Sequence, residues 1–107
     1  MNSRTKGKNG ELELVKYLRN AGYASARRGQ QFKGGTESPD VVCPGLTEEF
    51  HIECKRVEAG NLYVWMEQAE TDAGTKTPIV IHRKNGEDWM VVISLKNFLN
   101  LMLRRAI

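Results

Sequence analysis

Apolar and polar residues alternate strictly from residue 49 to residue 55. The apolar positions are Phe50, Ile52 and Cys54. Because successive side chains of a β-strand point to opposite faces, the alternation predicts a strand with one buried face. The same spacing places Glu53 and Lys55 together on the other face.

A second, shorter strand is predicted directly upstream, over residues 40–43. Pro39 disfavours a helical conformation at Ser38 and suits the first position of a strand. Residues 43–48 include a Pro-Gly pair and are typical of a turn. We therefore expect the two strands to lie side by side and antiparallel.

Helical periodicity predicts three helices. The first covers residues 8–21 and is ended by Gly22. The second covers residues 62–73 and stops at Gly74, with apolar residues at helical spacing. Ser94 caps the third, whose apolar residues are more than one stripe facing the sheet requires. They are Leu95, Phe98, Leu99, Leu101, Met102 and Leu103.

Three further strands complete the predicted fold. Residues 23–27 are a plausible first strand, residues 78–82 are an apolar run of strand length, and residues 88–93 pair back on that run. The Asn85-Gly86 pair between the last two is a hairpin signal. The predicted order is αβββαββα, which indicates an α/β fold with a mixed central sheet. His82 is expected to be structural.

Composition indicates one soluble globular domain over residues 1–107. The hydrophobic fraction is 40% and the charged fraction 27%, both of which are ordinary. No apolar run approaches the length of a membrane span, and no hydrophobic segment follows the first charges. We therefore expect neither a membrane span nor a signal peptide, and a cytoplasmic location. The two cysteines fall in predicted strands, where buried free thiols are expected, and two thiols alone do not make a four-ligand zinc site.

The distribution of charge points to a polyanionic partner such as nucleic acid, although the net charge is only +3. Basic residues cluster near the N-terminus, around residues 27–33, at residues 55–56 and in two later pairs. The later pairs are equally compatible with an ordinary solvated surface. Residues 28–38 form a glycine-rich basic loop that leads into Asp40. We expect Arg27, Arg28 and Lys33 to hold phosphates there.

The two motif strands bring the carboxylates of Asp40 and Glu53 and the ammonium of Lys55 to one place. Two carboxylates repel each other unless a cation or a proton lies between them. Mg²⁺ prefers oxygen ligands and commonly uses one or two protein carboxylates together with substrate phosphate oxygens. The grouping therefore predicts a divalent-cation site, where Lys55 holds a water molecule or offsets charge on a phosphate.

Each candidate site residue also has a purely structural explanation. Cross-strand charge pairs on a solvated strand are common, and the Glu-x-Lys spacing alone is unspecific. The Pro-Asp pair upstream favours the metal site. Glu11 and Glu13 fall near the start of the first predicted helix, where the helix dipole stabilises a carboxylate. Gln68, about one turn from Trp65, is either at the site or an exposed polar residue.

These motifs together resemble the PD-(D/E)xK nuclease superfamily, and most of all its small archaeal-type Holliday junction resolvases. The resemblance covers roughly residues 6–93. It rests on the order of helices and strands and on four sequence motifs. These motifs are Lys6-Gly7 before Glu11-Leu-Glu13-Leu14, Pro39-Asp40, Glu53-Cys54-Lys55, and Leu62-Tyr63-Val64 with Gln68. The sequence departs from the resolvases in its longer loop over residues 28–38, which lacks their Gly-Ser pair, and in the helix after Ser94.

The resemblance implies a Mg²⁺-dependent DNA endonuclease, with Mn²⁺ as a substitute. It implies that Asp40, Glu53, Glu11 and the backbone carbonyl of Cys54 bind the metal. Lys55 would act on the attacking water and Gln68 would border the site. DNA contacts are expected from Lys6, Lys8, Arg27, Arg28, Lys33 and Arg56.

The substrate expected from this resemblance is branched DNA such as a four-way junction. Such a junction is nearly two-fold symmetric, so a homodimer joined through the apolar face of the last helix is the simplest assembly. The alternative is that all these apolar side chains pack internally over a thin sheet. A single-site nicking or repair nuclease of the same superfamily is the alternative among enzymes. A catalytically idle DNA-binding subunit is the alternative from another class, and the intact set of Asp40, Glu53 and Lys55 argues against it.

Overall fold

A computed structural model describes residues 3–29 and 39–105 of the chain, with side chains described from Thr5 onward. The described helices are α1 (Ser3–Asn20), α2 (Leu62–Ala73) and α3 (Leu95–Arg105). The described strands are β1 (Arg27–Arg28), β2 (Val41–Val42), β3 (Phe50–Arg56), β4 (Thr77–Arg83) and β5 (Met90–Val92). The elements follow one another in the predicted order. None of the described helices has the length and apolarity that crossing a membrane requires.

The helices differ from their predictions mainly at one end of α1. This helix begins at Ser3, so Glu11 lies in its interior and the first-turn explanation for Glu11 is wrong. Helix α2 has the predicted bounds, and the side chain of Asn61 caps it by accepting a 2.9 Å hydrogen bond from the N–H of Tyr63. Ser94 caps α3, as predicted.

Strand β4 lies in the middle of a three-stranded mixed sheet. It pairs in parallel with β3 over their whole length and antiparallel with β5. The predicted hairpin between β4 and β5 is confirmed, and Gly86 occupies the turn with a φ of 77°. The helix α2 makes the crossover from β3 to β4, which is the connection that a parallel pair requires.

The predicted antiparallel pairing of β2 with β3 is wrong. β2 pairs with β1 in a separate two-stranded sheet. Between the motif strands the chain winds through tight turns whose N–H groups bond within the segment, as in the 2.9 Å bond from Phe50 to the carbonyl of Leu46. These local bonds leave no room for a ladder. One backbone bond still joins the strands, from the N–H of Asp40 to the carbonyl of Ile52 at 3.1 Å.

Helices cover both faces of the mixed sheet. On one face α1 buries Leu14, Val15 and Leu18 against a cluster that includes Ile52. On the other face α2 packs Met66 and Ala69 on Val80. Since Glu53 is the register partner of Val80, Glu53 lies on the face covered by α2. The polar face of β3 is therefore closed by a helix, whereas the alternation alone predicts only one buried face.

Candidate active site

Asp40 is attached to β3 by two hydrogen bonds. Its N–H donates to the carbonyl of Ile52, and its Oδ2 accepts a 2.8 Å bond from the N–H of Cys54. Both partners are backbone groups of the strand that carries Glu53. The position of the Asp40 carboxylate is consequently set by the strand itself.

The carboxyls of Asp40 and Glu53 lie in contact and share a hydrogen bond. Burial raises the pKa of Asp40 from 3.8 to about 7, and the charges of Glu53 and Glu11 act in the same direction. The N–H of Cys54 partly opposes this rise. Two buried carboxyls this close need a proton or a cation between them, and their oxygens are the donors that a hard divalent cation takes. The donor set fits such a cation.

Glu11 and Glu13 have different surroundings, although both lie on α1. Glu11 is close enough to raise the pKa of Asp40, and its Oε1 accepts a 2.8 Å bond from Arg28. Glu13 is paired with Arg56 at 3.0 Å and with Arg83. Glu11 thus borders the two carboxyls, whereas Glu13 joins α1 to β3 and β4.

Gly10 allows α1 to approach β3 at this point. A Cβ atom on Gly10 would lie 2.5 Å from the Cβ of Arg56, so only glycine fits without a shift of the backbone. The glycine costs helix stability in exchange for this contact. The close approach brings Glu11 to the same end of the strand as the motif residues.

Lys55 follows Glu53 by two residues on the same face of β3, as the alternation predicts. It is half-buried and pairs in register with His82. Burial raises the pKa of the Cys54 thiol well above its usual range, and the positive charge of Lys55 partly offsets this rise. Lys55 therefore shares a face of β3 with Glu53, two residues further along the strand.

Gln68 is exposed and donates a 2.9 Å hydrogen bond to Oδ2 of Asp72, one turn further along α2. Asp72 in turn belongs to a cluster with His51 and Glu53. One ring nitrogen and one oxygen from each carboxylate lie within 4.8 Å of one another. His51 and Asp72 were not among the residues predicted from sequence, although His51 shares the parity of Glu53 on β3.

The predicted DNA-contacting residues fall into three groups. Lys6, Lys8 and Arg27 are exposed. Arg28 and Arg56 form ion pairs with Glu11 and Glu13, which occupy part of their hydrogen-bonding capacity. Lys33 lies outside the described residues.

The two cysteines are free, as predicted, and Cys43 is buried while Cys54 is half-buried.

Comparison with known proteins places the chain in a family. A family model described as "Phage putative PDDEXK endonuclease" matches residues 2–106. Neither the curated proteins nor the solved structures contain a match to the chain. The match supports the resemblance to the PD-(D/E)xK superfamily and does not extend to the archaeal-type resolvases.

Proposed function

Because the chain belongs to this family of PDDEXK endonucleases, we propose that it hydrolyses phosphodiester bonds of DNA at the site formed by Asp40, Glu53 and Lys55. The observation that carries the proposal is the contact between the Asp40 and Glu53 carboxyls, with Lys55 two residues beyond Glu53 on the same face of β3. A buried acidic pair of this kind is costly to the fold unless a proton or a cation lies between its oxygens.

Asp40 and Glu53 would hold a divalent cation, with Glu11 and the backbone carbonyl of Cys54 as further ligands. Oxygen donors favour Mg²⁺, and Mn²⁺ accepts the same ligands. When bound, the cation supplies Lewis-acid polarisation of the phosphate and lowers the pKa of a water molecule. The residues present fit this use, since Asp40 is fixed by the strand and Glu11 is close enough for its charge to raise the pKa of Asp40.

The chain's own groups then perform the remaining work. Lys55 donates a hydrogen bond to the attacking water and offsets negative charge that develops on the phosphate. As the water oxygen forms a bond to phosphorus, the water gives up one proton to solvent. The bond from phosphorus to the leaving sugar oxygen breaks, and that oxygen takes up a proton from solvent. Lys6, Lys8, Arg27 and Lys33 would contact phosphates away from the bond that breaks.

A branched DNA such as a four-way junction is the substrate we propose, cut by a homodimer. Helix α3 supports the dimer because it buries none of its residues completely. Its exposed apolar side chains are Leu95, Phe98, Leu99, Met102 and Leu103. A face of this kind is typical of an interaction surface.

Light scattering is expected to give twice the 12.1 kDa chain mass, and glutamates at Leu99 and Leu103 are expected to give a folded monomer.

The decisive experiment incubates labelled junction, flap and plain duplex DNA with the protein, with and without Mg²⁺. Lys55→Gln serves as the inactive control because it keeps a polar side chain of similar length. We expect Mg²⁺-dependent cleavage by the wild type and none by the variant. If the wild type binds these DNA substrates but cuts none of them, the result would instead favour the catalytically idle DNA-binding subunit.

A further inference from the structure

We propose that His51 is a positioning residue that holds the Glu53 carboxylate in its working orientation, and that Asp72 supports this arrangement from α2. This inference rests on the proposed function of the same site. Neither residue belongs to the Pro-Asp or Glu-x-Lys motifs. Both lie on the side of the site that α2 covers.

Glu53 needs a hydrogen-bond donor because it is only 7% exposed. Nε2 of His51 lies 2.9 Å from Glu53 Oε1, and His51 is only 3% exposed. A carboxylate that binds a cation is ionised and cannot donate, so in that state the imidazole nitrogen carries the hydrogen of this bond. Glu53 is thus bonded by His51 and also contacts Asp40. Rotation of the carboxylate would break a buried hydrogen bond.

Asp72 extends this arrangement to α2. One of its oxygens lies within 4.8 Å of both the His51 ring nitrogen and the Glu53 carboxylate. Gln68 donates to its Oδ2 and so restricts its rotamer. Neighbouring polar groups therefore extend from the surface of α2 to the carboxyl pair. Outer hydrogen-bonding partners of this kind orient metal-binding carboxylates, and their loss typically weakens metal affinity or activity roughly 10–100-fold.

The other histidine of the chain provides a matched control. His82 lies in the register row of Lys55 on the neighbouring strand, and it is half-buried. Its Nε2 lies 3.0 Å from the carbonyl of Val57, and its ring contacts Trp65 at a centroid distance of 4.9 Å. It has an aromatic and a backbone partner in place of a carboxylate. Replacing it perturbs the same sheet without touching the orientation of Glu53.

The test compares His51→Leu, His51→Gln, Asp72→Asn and His82→Leu by Mn²⁺ calorimetry and by cleavage kinetics. Leucine fills the space beside a cavity of about 290 Å³ and removes the donor, whereas glutamine retains an N–H. We expect His51→Leu to weaken Mn²⁺ binding roughly 10-fold or more and to lower kcat with little change in KM. His51→Gln should recover most of the loss, Asp72→Asn should lose less than His51→Leu, and His82→Leu should bind Mn²⁺ like the wild type.

Thermal melts separate positioning from folding. Should His51→Leu unfold, the folded His51→Gln and Asp72→Asn variants still decide the matter through their Mn²⁺ affinities. Equal losses in His51→Leu and His82→Leu, or wild-type affinity in both, would overturn the inference. So would Zn²⁺ binding that depends on His51 and persists in Asp40→Asn, because it assigns the cluster its own metal. Wild-type protein that binds Mn²⁺ without cutting DNA would overturn the proposed function alone.

Discussion

The backbone N–H of Cys54 donates a 2.8 Å hydrogen bond to Oδ2 of Asp40, a residue 14 positions earlier in the chain. This contact makes the position of Asp40 depend on the backbone of β3, the strand that carries Glu53. A backbone donor survives any side-chain substitution except proline. This hydrogen bond therefore does not depend on the side chain of Cys54, whereas it does depend on the carboxylate of Asp40.

Removing either motif charge should abolish cleavage. We expect Asp40→Asn and Glu53→Gln to lose Mg²⁺-dependent turnover while keeping DNA affinity, because each substitution removes a charged ligand without removing volume. Gel-based cleavage and fluorescence anisotropy measure the two properties on the same protein. Full turnover in either variant would contradict the assignment of the metal ligands.

Asp40 should also make stability depend on pH in the absence of divalent cations. Its pKa is raised from 3.8 to about 7, so the folded protein binds this proton more tightly than the unfolded chain does. Stability then falls as the pH rises from about 4 to 7. We expect Asp40→Asn to melt higher than the wild type at pH 8, by roughly 5 °C, and to match it below pH 4. Mg²⁺ should narrow the gap at pH 8, and calorimetric melts in EDTA and in Mg²⁺ test both points.

The two glutamates of α1 should separate into a site residue and a structural residue. Glu11→Gln is expected to weaken Mn²⁺ binding with little change in stability. Glu13→Gln is expected to cost about 1 kcal/mol of stability, because Arg56 and Arg83 lose a shared partner, and to leave Mn²⁺ affinity unchanged. The pair is well matched, since each glutamate bonds an arginine of a neighbouring strand. The reverse outcome would make Glu13 the metal ligand.

Arginine at position 27 should contribute to DNA binding more than arginine at position 28. Arg27 is exposed, whereas Arg28 already pairs with Glu11. We expect Arg27→Ala to reduce the slope of log affinity against log salt by about one, and Arg28→Ala to reduce it less. Lys96→Ala, a change of an exposed lysine on α3, is the control. An unchanged slope for Arg27→Ala would exclude this residue from the DNA interface.

The sequence predicted element order well because helix and strand periods differ clearly in this chain. The bounds of α2 followed from its apolar spacing and from Gly74. The first residues of α1 were missed because residues 3–9 contain no apolar side chain to reveal a helical period. These residues are helical because they extend the later turns of α1, which pack on β3.

The meeting of Asp40 and Glu53 was predicted, but by the wrong pairing. Sequence spacing predicted two adjacent paired strands, whereas the contact comes from one backbone bond and one carboxylate bond between Asp40, which precedes β2, and the backbone of β3. Asp72 escaped prediction because its closeness to Glu53 depends on how α2 lies across the sheet. That angle follows from Met66 and Ala69 packing on Val80, which no local pattern encodes.

The parallel pairing of β3 with β4 has a consequence for the order in which the protein becomes competent during synthesis. β3 carries Glu53 and Lys55, but its ladder partner begins only at Thr77, after the whole of α2. Non-local parallel pairs form late because the intervening chain must close first. A ribosome-bound chain that exposes residues 1–76 should therefore lack an ordered cation site. Mn²⁺ binding to nascent chains stalled before and after β4 emerges would measure this delay.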